Sequence, residues 1–206
     1  MYVNNVYWFF EKAFTKNFCD DIIKAGFDKN PKLGITGEYE GKKLTNKSKK
    51  DLKKVRDSSI AFLDDPWIYN EIRNVIQAAN HNAGWKYNYE HYESVQFTVY
   101  KQGQHYDWHQ DGKAQPYGEE SHPNYRGLIR KLSMTIALND SSEYKGGDFL
   151  FDMSNPRQKN RIIKVKELKH KGSAVIFPSF MFHKVAPVTK GTRYSLVVWV
   201  LGKPWA

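Results

Sequence analysis

The sequence predicts a mainly β fold with N-terminal helices, an α+β chain whose core is a jelly roll, and three observations predict it. From about residue 93 the apolar period changes from helical to alternating. Short β-rich runs follow at 94–101, 132–138, 148–152, 161–166, 173–177, 183–188 and 192–201. Turn-forming stretches such as Asn139-Asp140-Ser141-Ser142 and Gly146-Gly147 separate them, the punctuation of a sandwich or barrel.

The first ninety residues read as helices and loops. Residues 15–26 place Phe18, Ile22, Ile23 and Ala25 at helical spacing behind Thr15, which is suited to cap the helix. A second helix starts at Asp65, which can cap it, with Pro66 in the first turn. Its stripe of Ile68, Ile72, Val75, Ile76 and Ala79 is a core face. The organisation expected is one domain over residues 1–206, with 1–92 as a helical support region and 93–206 as the jelly-roll core. Between the runs, residues 112–129 carry two Pro, three Gly and mixed charges, and a polar loop of that length is commonly a lid or substrate loop.

Composition excludes several classes. With 40% apolar and 26% charged residues the chain is an ordinary globular one, and 15% aromatic content suits a β-rich fold with a lined cavity. The single Cys19 cannot form an internal disulfide, and its apolar surroundings point to a packed, neutral thiol. No apolar run is long enough to span a membrane, and the N-terminus does not resemble a signal peptide, so a cytoplasmic location with no membrane partner is expected. The net charge of +10 is uneven: residues 42–56 (KKLTNKSKKDLKKVR) hold eight Lys/Arg against one Asp, or +7. That run is either a solvated, mobile loop or the footprint of an acidic or nucleic-acid partner. It contains no aromatic residue, which counts against a base-stacking surface.

The residues fit for chemistry lie in the C-terminal half. In an extended segment residues two apart share a side, so His109 and Asp111 can grip one ion. Imidazole with carboxylate suits Fe(II), and two His with one carboxylate leave three positions open, as in non-haem iron oxygenases. Structural zinc would want four closed ligands, usually with Cys, which this chain does not supply. His183 follows the apolar run Ala174-Val175-Ile176-Phe177-Pro178, where a His is either a satisfied core side chain or a third ligand. Arg193, ten positions on, favours the ligand: a strand, a tight Lys190-Gly191 turn and a returning strand would set both in one cavity. A guanidinium in an apolar strand needs a partner, either an internal acid or the carboxylate of a ligand held by two parallel hydrogen bonds. In 132–138, Leu132, Met134, Ile136 and Leu138 share a core face, while Ser133, Thr135 and Ala137 share a smaller face that leaves room for a ligand. Gln96, Thr98 and Tyr100 likewise share a face, as do Arg193, Ser195, Val197 and Trp199. Tyr100 is either a core tyrosine or a donor to the same carboxylate as Arg193. His81, His91, His105, His122 and His170 lack a paired ligand or lie in polar contexts, and there is no phosphate-binding glycine loop, nucleophile elbow or CxxC pair.

Together the motifs resemble a known family. They are Tyr100-x-x-Gly103-x-x-Tyr106-x-x-His109-x-Asp111, Arg130-Lys-Leu-Ser-Met-Thr, Tyr144-Lys-Gly-Gly-Asp-Phe, and Phe177-Pro-Ser-Phe-Met-Phe-His183 running on to Arg193. Over residues 93–202 the chain is similar to the 2-oxoglutarate/Fe(II)-dependent dioxygenases, in the prolyl 4-hydroxylase-like branch that includes bacterial PKHD-type hydroxylases. The resemblance implies a double-stranded β-helix, iron on His109, Asp111 and His183, and the distal carboxylate of 2-oxoglutarate on Arg193. It further implies Tyr100 as a helper, Thr135 and Trp199 lining the co-substrate pocket, and ascorbate as an accessory reductant. The family reaction converts 2-oxoglutarate and O2 to succinate and CO2 while hydroxylating an unactivated C–H bond. Ala137 departs from the pattern, standing where animal relatives of the branch often place Tyr.

Three functions follow as expectations. The first is a hydroxylase of prolyl residues in a peptide or protein. An AlkB-type nucleic-acid demethylase is the second, ranked lower because no further Arg follows Arg193 in Tyr-Ser-Leu-Val-Val-Trp-Val-Leu-Gly. A non-catalytic jelly-roll binding module is the third. The stretches 28–57 and 112–129 are expected to cover the iron site, with the basic run facing an acidic substrate.

Overall fold

The computed structural model describes residues 5–35, 44–112, 115–153 and 162–205. In its N-terminal part the strands are Trp8–Phe10 (β1), Lys32–Leu33 (β2), Arg56–Asp57 (β3) and Ser59–Leu63 (β4), with helices Lys16–Asp28 (α1), Asn46–Val55 (α2) and Pro66–Asn82 (α3). His91–Tyr92 (β5), Val95–Tyr100 (β6), His105–His109 (β7), Ile129–Ala137 (β8), Tyr144–Gly146 (β9) and Phe149–Asp152 (β10) follow. The chain continues through Ile162–Lys164 (β11), Ala174–Pro178 (β12), His183–Val185 (β13) and Val188–Gly191 (β14) to Arg193–Gly202 (β15).

These strands build a jelly roll. A major sheet runs β1-β12-β8-β15-β6-β4-β2 with β5 also on β15, and a minor sheet runs β11-β10-β13-β7-β3. Side chains from both sheets meet between them in one cluster: Tyr100, Ala137, Val175 and Phe177 from the major sheet, Phe149, Phe151 and Val185 from the minor one. The other face of the major sheet is covered by α1 and α3. There Leu132, Met134, Ile136 and Leu138 pack with Ile22, Ile68, Ile72 and Ile76, as the alternation predicts. Thr15 caps α1 by accepting from the Phe18 amide at 3.1 Å. Gly26 lets that helix lie flat on the sheet, because a Cβ there would fall 2.2 Å from the Phe97 ring.

Several expectations are corrected. The first ninety residues contribute strands as well as helices, since β1 extends the major sheet beyond β12 and β4 pairs with β6. Asp65 sits at the N-cap of α3 but makes no side-chain cap bond, so Pro66 carries the start. Of the basic run, Lys42 and Lys43 lie outside the described residues; the remainder is no loop but α2 running into β3. Thr45 caps that helix through the Ser48 amide at 3.1 Å, and Leu52 is its one buried residue. The expected strand 183–188 is split at Pro187, which has no amide hydrogen to give to a ladder. Lys190-Gly191 is therefore not a hairpin turn. It lies in β14, paired with β9, and the chain passes from the minor sheet at β13 to the major sheet at β15. Gly191 is required there: its φ is +74°, and a Cβ would stand 2.3 Å from the Glu143 carbonyl oxygen. Among the described residues no helix is long and apolar enough to cross a membrane.

Candidate metal centre

The three proposed ligands come together between the sheets. His109 ends β7 and His183 begins β13, and the two are directly paired in the minor sheet. The register then slips, because Val185 pairs with Tyr106: three residues advance on β7 for two on β13. This bulge turns Tyr106 and His109 toward the same cavity, where regular alternation would separate them. Their rings stack at 3.5 Å and 14°. Asp111 lies just past the strand, and the Gly112 amide donates to the Ser179 carbonyl at 2.7 Å, fixing the bend.

The hydrogen bonds around the triad leave its donor atoms free. His109 Nδ1 is 2.7 Å from the Asp107 carbonyl oxygen, and His183 Nδ1 is 2.9 Å from that of Met181. An imidazole donating through Nδ1 to a carbonyl keeps the Nε2 lone pair for a metal. Each Nε2 stands 3.6 Å from one Asp111 oxygen, beyond hydrogen-bond range, and the ligand atoms all lie within 4.8 Å of one another. Asp111 Oδ2 is buried with no hydrogen-bond partner. Burial pushes the His183 imidazole down to about 4 against the opposing pull of Asp111, so it is neutral near pH 7. Burial would raise the Asp111 carboxyl, but His183, His109 and Arg130 outweigh it and hold it below the usual carboxylate range. An ionised carboxylate with an orphaned oxygen between two free imidazole nitrogens fits a divalent iron.

The same cavity reaches Arg193 on the major sheet. Arg193 is buried, and its side-chain hydrogen bond is to Ser195 Oγ at 3.1 Å; among the described residues no acid pairs with it. Tyr100 lies opposite it in register, its ring 5.5 Å from the guanidinium. The Tyr100 hydroxyl makes no hydrogen bond among the described residues, and burial keeps it protonated despite Arg56 and Arg193 nearby. Among the described residues, then, Arg193 has no acid partner and the Tyr100 hydroxyl no hydrogen-bond partner. Thr135 and Trp199 both line the cavity, as does Ser195.

Sequence reasoning missed the support behind this site. Arg130 donates to both oxygens of Glu93 at 2.6 and 2.7 Å, and more weakly to the Asp111 carbonyl at 3.4 Å. Its guanidinium lies 3.9 Å over the Trp199 ring, and Tyr117 donates to Glu93 at 2.9 Å. Arg130 stands in a motif already quoted, but nothing local in the sequence ties it to Glu93. Arg56, buried beneath the Tyr106 ring at 4.6 Å, also went unnoticed as a site neighbour. The other histidines stay outside, with His105 Nε2 at 3.1 Å from the Lys54 carbonyl and His170 3.6 Å from Asp140.

A mainly β jelly roll with a His-Asp-His cluster facing a buried arginine defines a non-haem metal oxygenase fold. The chain belongs to the 2OG-Fe(II) oxygenase superfamily, whose model matches residues 95–201. The cofactors of that family are Fe(II) and 2-oxoglutarate. Similar curated proteins include a PKHD-type hydroxylase of Psychrobacter sp. (strain PRwf-1), 34% identical over 105 residues, covering 50% of this chain and 36% of that protein. One from Alteromonas mediterranea is 31% identical over 105 residues, covering 50% and 41%. The chain thus matches well under half the length of these relatives. Among solved structures, a prolyl-4-hydroxylase of Pseudomonas putida superposes with a TM-score of 0.64 at 14% identity, covering 97% of this chain and 94% of that one. A Trichoplax adhaerens prolyl hydroxylase, in complex with a hypoxia inducible factor peptide fragment, gives 0.65 at 15% identity, covering 95% and 83%. At such identities the likeness is one of fold.

Proposed function

We propose that the chain hydroxylates a prolyl residue of a peptide or protein, coupled to conversion of 2-oxoglutarate and O2 to succinate and CO2. The observation that carries this reading is one cavity with the orphaned Asp111 Oδ2 at one side and, at the other, the buried Arg193, which has no acid partner among the described residues. His109, Asp111 and His183 would hold the iron. When bound, iron and 2-oxoglutarate supply the oxidation of the C–H bond. Arg193 receives the distal carboxylate through charge-assisted hydrogen bonds, with the Tyr100 hydroxyl as a further donor. Thr135 and Trp199 form walls of that pocket, and Phe149, Phe177 and Val185 keep it apolar. The prolyl target draws support from the PKHD-type relatives and the prolyl hydroxylase structures, one of them with its peptide.

Succinate release from 2-oxoglutarate with Fe(II), measured for wild type, His109→Ala and Arg193→Ala, tests the class assignment of these residues. Both variants should lose it; retention in either removes that residue from the site. Mass spectrometry of Pro-containing peptides should show a gain of one oxygen, and its consistent absence would reject the prolyl target.

A further inference from the structure

We propose that the lysine face of α2 is a docking surface for an acidic stretch of the peptide substrate; the peptide in this proposal rests on the hydroxylase reading above. Lys47, Lys49, Lys50, Lys53 and Lys54 are all exposed. At 3.6 residues per turn they fall on one continuous arc of about 160°, opposite the side that buries Leu52. Lysines one turn apart, such as Lys49 and Lys53, repel each other and weaken the helix that carries them. Internal acids relieve little of this. Asp51 meets Lys54 at 2.8 Å and Asp57 meets Lys53 at 3.5 Å, but Lys47, Lys49 and Lys50 pair with no acid among the described residues.

The helix is also tied to the iron side of the molecule. It runs directly into β3, where Arg56 pairs with Tyr106, and the Lys54 carbonyl meets His105 Nε2 at 3.1 Å. Tyr106 is the ring stacked on His109. The helix thus packs against β7, the strand that ends in His109. Like charges collected on a helix beside that strand and left unneutralised fit a partner of opposite sign. An acidic peptide is preferred to a nucleic acid because the run 42–56 has no aromatic side chain on which a base could stack.

The test uses the full chain and a labelled peptide with one Pro flanked by Glu on both sides, beside a counterpart with Gln for every Glu. Binding is followed by fluorescence anisotropy. The wild type should prefer the Glu peptide, and that preference should shrink as NaCl is raised. The triple substitution Lys47→Gln, Lys49→Gln and Lys50→Gln should weaken the Glu peptide about tenfold and spare the Gln peptide. Equal binding of the two peptides by the wild type, or an unchanged affinity in the triple variant, overturns the proposal. So does an oligothymidylate of the same charge that binds more tightly than the Glu peptide. Because the comparison of the two peptides needs no substitution, equal binding still overturns the proposal even if the triple variant misfolds. Succinate release with Fe(II) is measured in parallel with each Pro-containing peptide; its absence throughout sinks the hydroxylase reading, while the anisotropy judges docking by itself.

Discussion

The binding role proposed for Arg193 has a consequence for stability. A buried guanidinium without an acid is costly to the empty fold, and the cost is recovered when an anion arrives. Arg193→Met should therefore melt at or above the wild-type temperature without ligand, yet lose the rise in melting temperature that 2-oxoglutarate gives the metal-loaded protein. A variant that melts lower and keeps that rise would contradict the role. Glu93 and Arg130 present the opposite case, a part-buried pair with both partners present. Removing one should cost about 1–3 kcal/mol by stranding the other. Glu93→Ala should show this in urea denaturation, and the double change Glu93→Leu with Arg130→Met should recover much of it. Cys19 adds a pH signature. Burial pushes its thiol from 9.0 up to about 11, so the folded state favours the protonated form. The resulting stability is complete below pH 9 and is lost as pH rises toward 11. Cys19→Ala should flatten that part of the alkaline stability profile relative to the wild type.

At the level of elements, legibility followed how local the determining physics is. Strands β6, β8 and β15 were readable because alternation declares two faces, one against helices and one toward the cavity. Helices α1 and α3 announced themselves by apolar stripes. Helix α2 did not, since Leu52 is its one buried residue and its lysines resemble a solvated loop. Strands β1 and β4 depend on neighbours far along the chain and left no period of their own. The candidate ligands were legible from type and spacing, but the path from His183 to Arg193 was not, because Pro187 ends one strand and Gly191 admits a crossing between sheets. That crossing predicts an effect of its own. Gly191→Ala imposes a strained φ and a clash with the Glu143 carbonyl, displacing the start of β15. It should raise the KM for 2-oxoglutarate more than it changes the affinity for Co(II) as a substitute metal; equal changes in both would assign it a merely general role in folding.

For the whole molecule, the two halves of the site belong to different sheets. His109 and His183 ride on the minor sheet, while Arg193 and Tyr100 ride on the major one. Aromatic side chains fill the gap between them, among them Phe151, fully buried and in edge contact with Phe177 at 5.0 Å. If the candidate site binds as proposed, the fold acts as a calliper whose filling bears on what length of molecule fits between the grips. Phe151→Leu, on the strand paired with His183, should shift the preference among dicarboxylates of different chain length by more than it changes metal affinity, measured by competition of succinate, glutarate and adipate against 2-oxoglutarate. On the proposed function, co-substrate selectivity would be a dimension of the hydrophobic core, adjustable from a position outside the cavity lining.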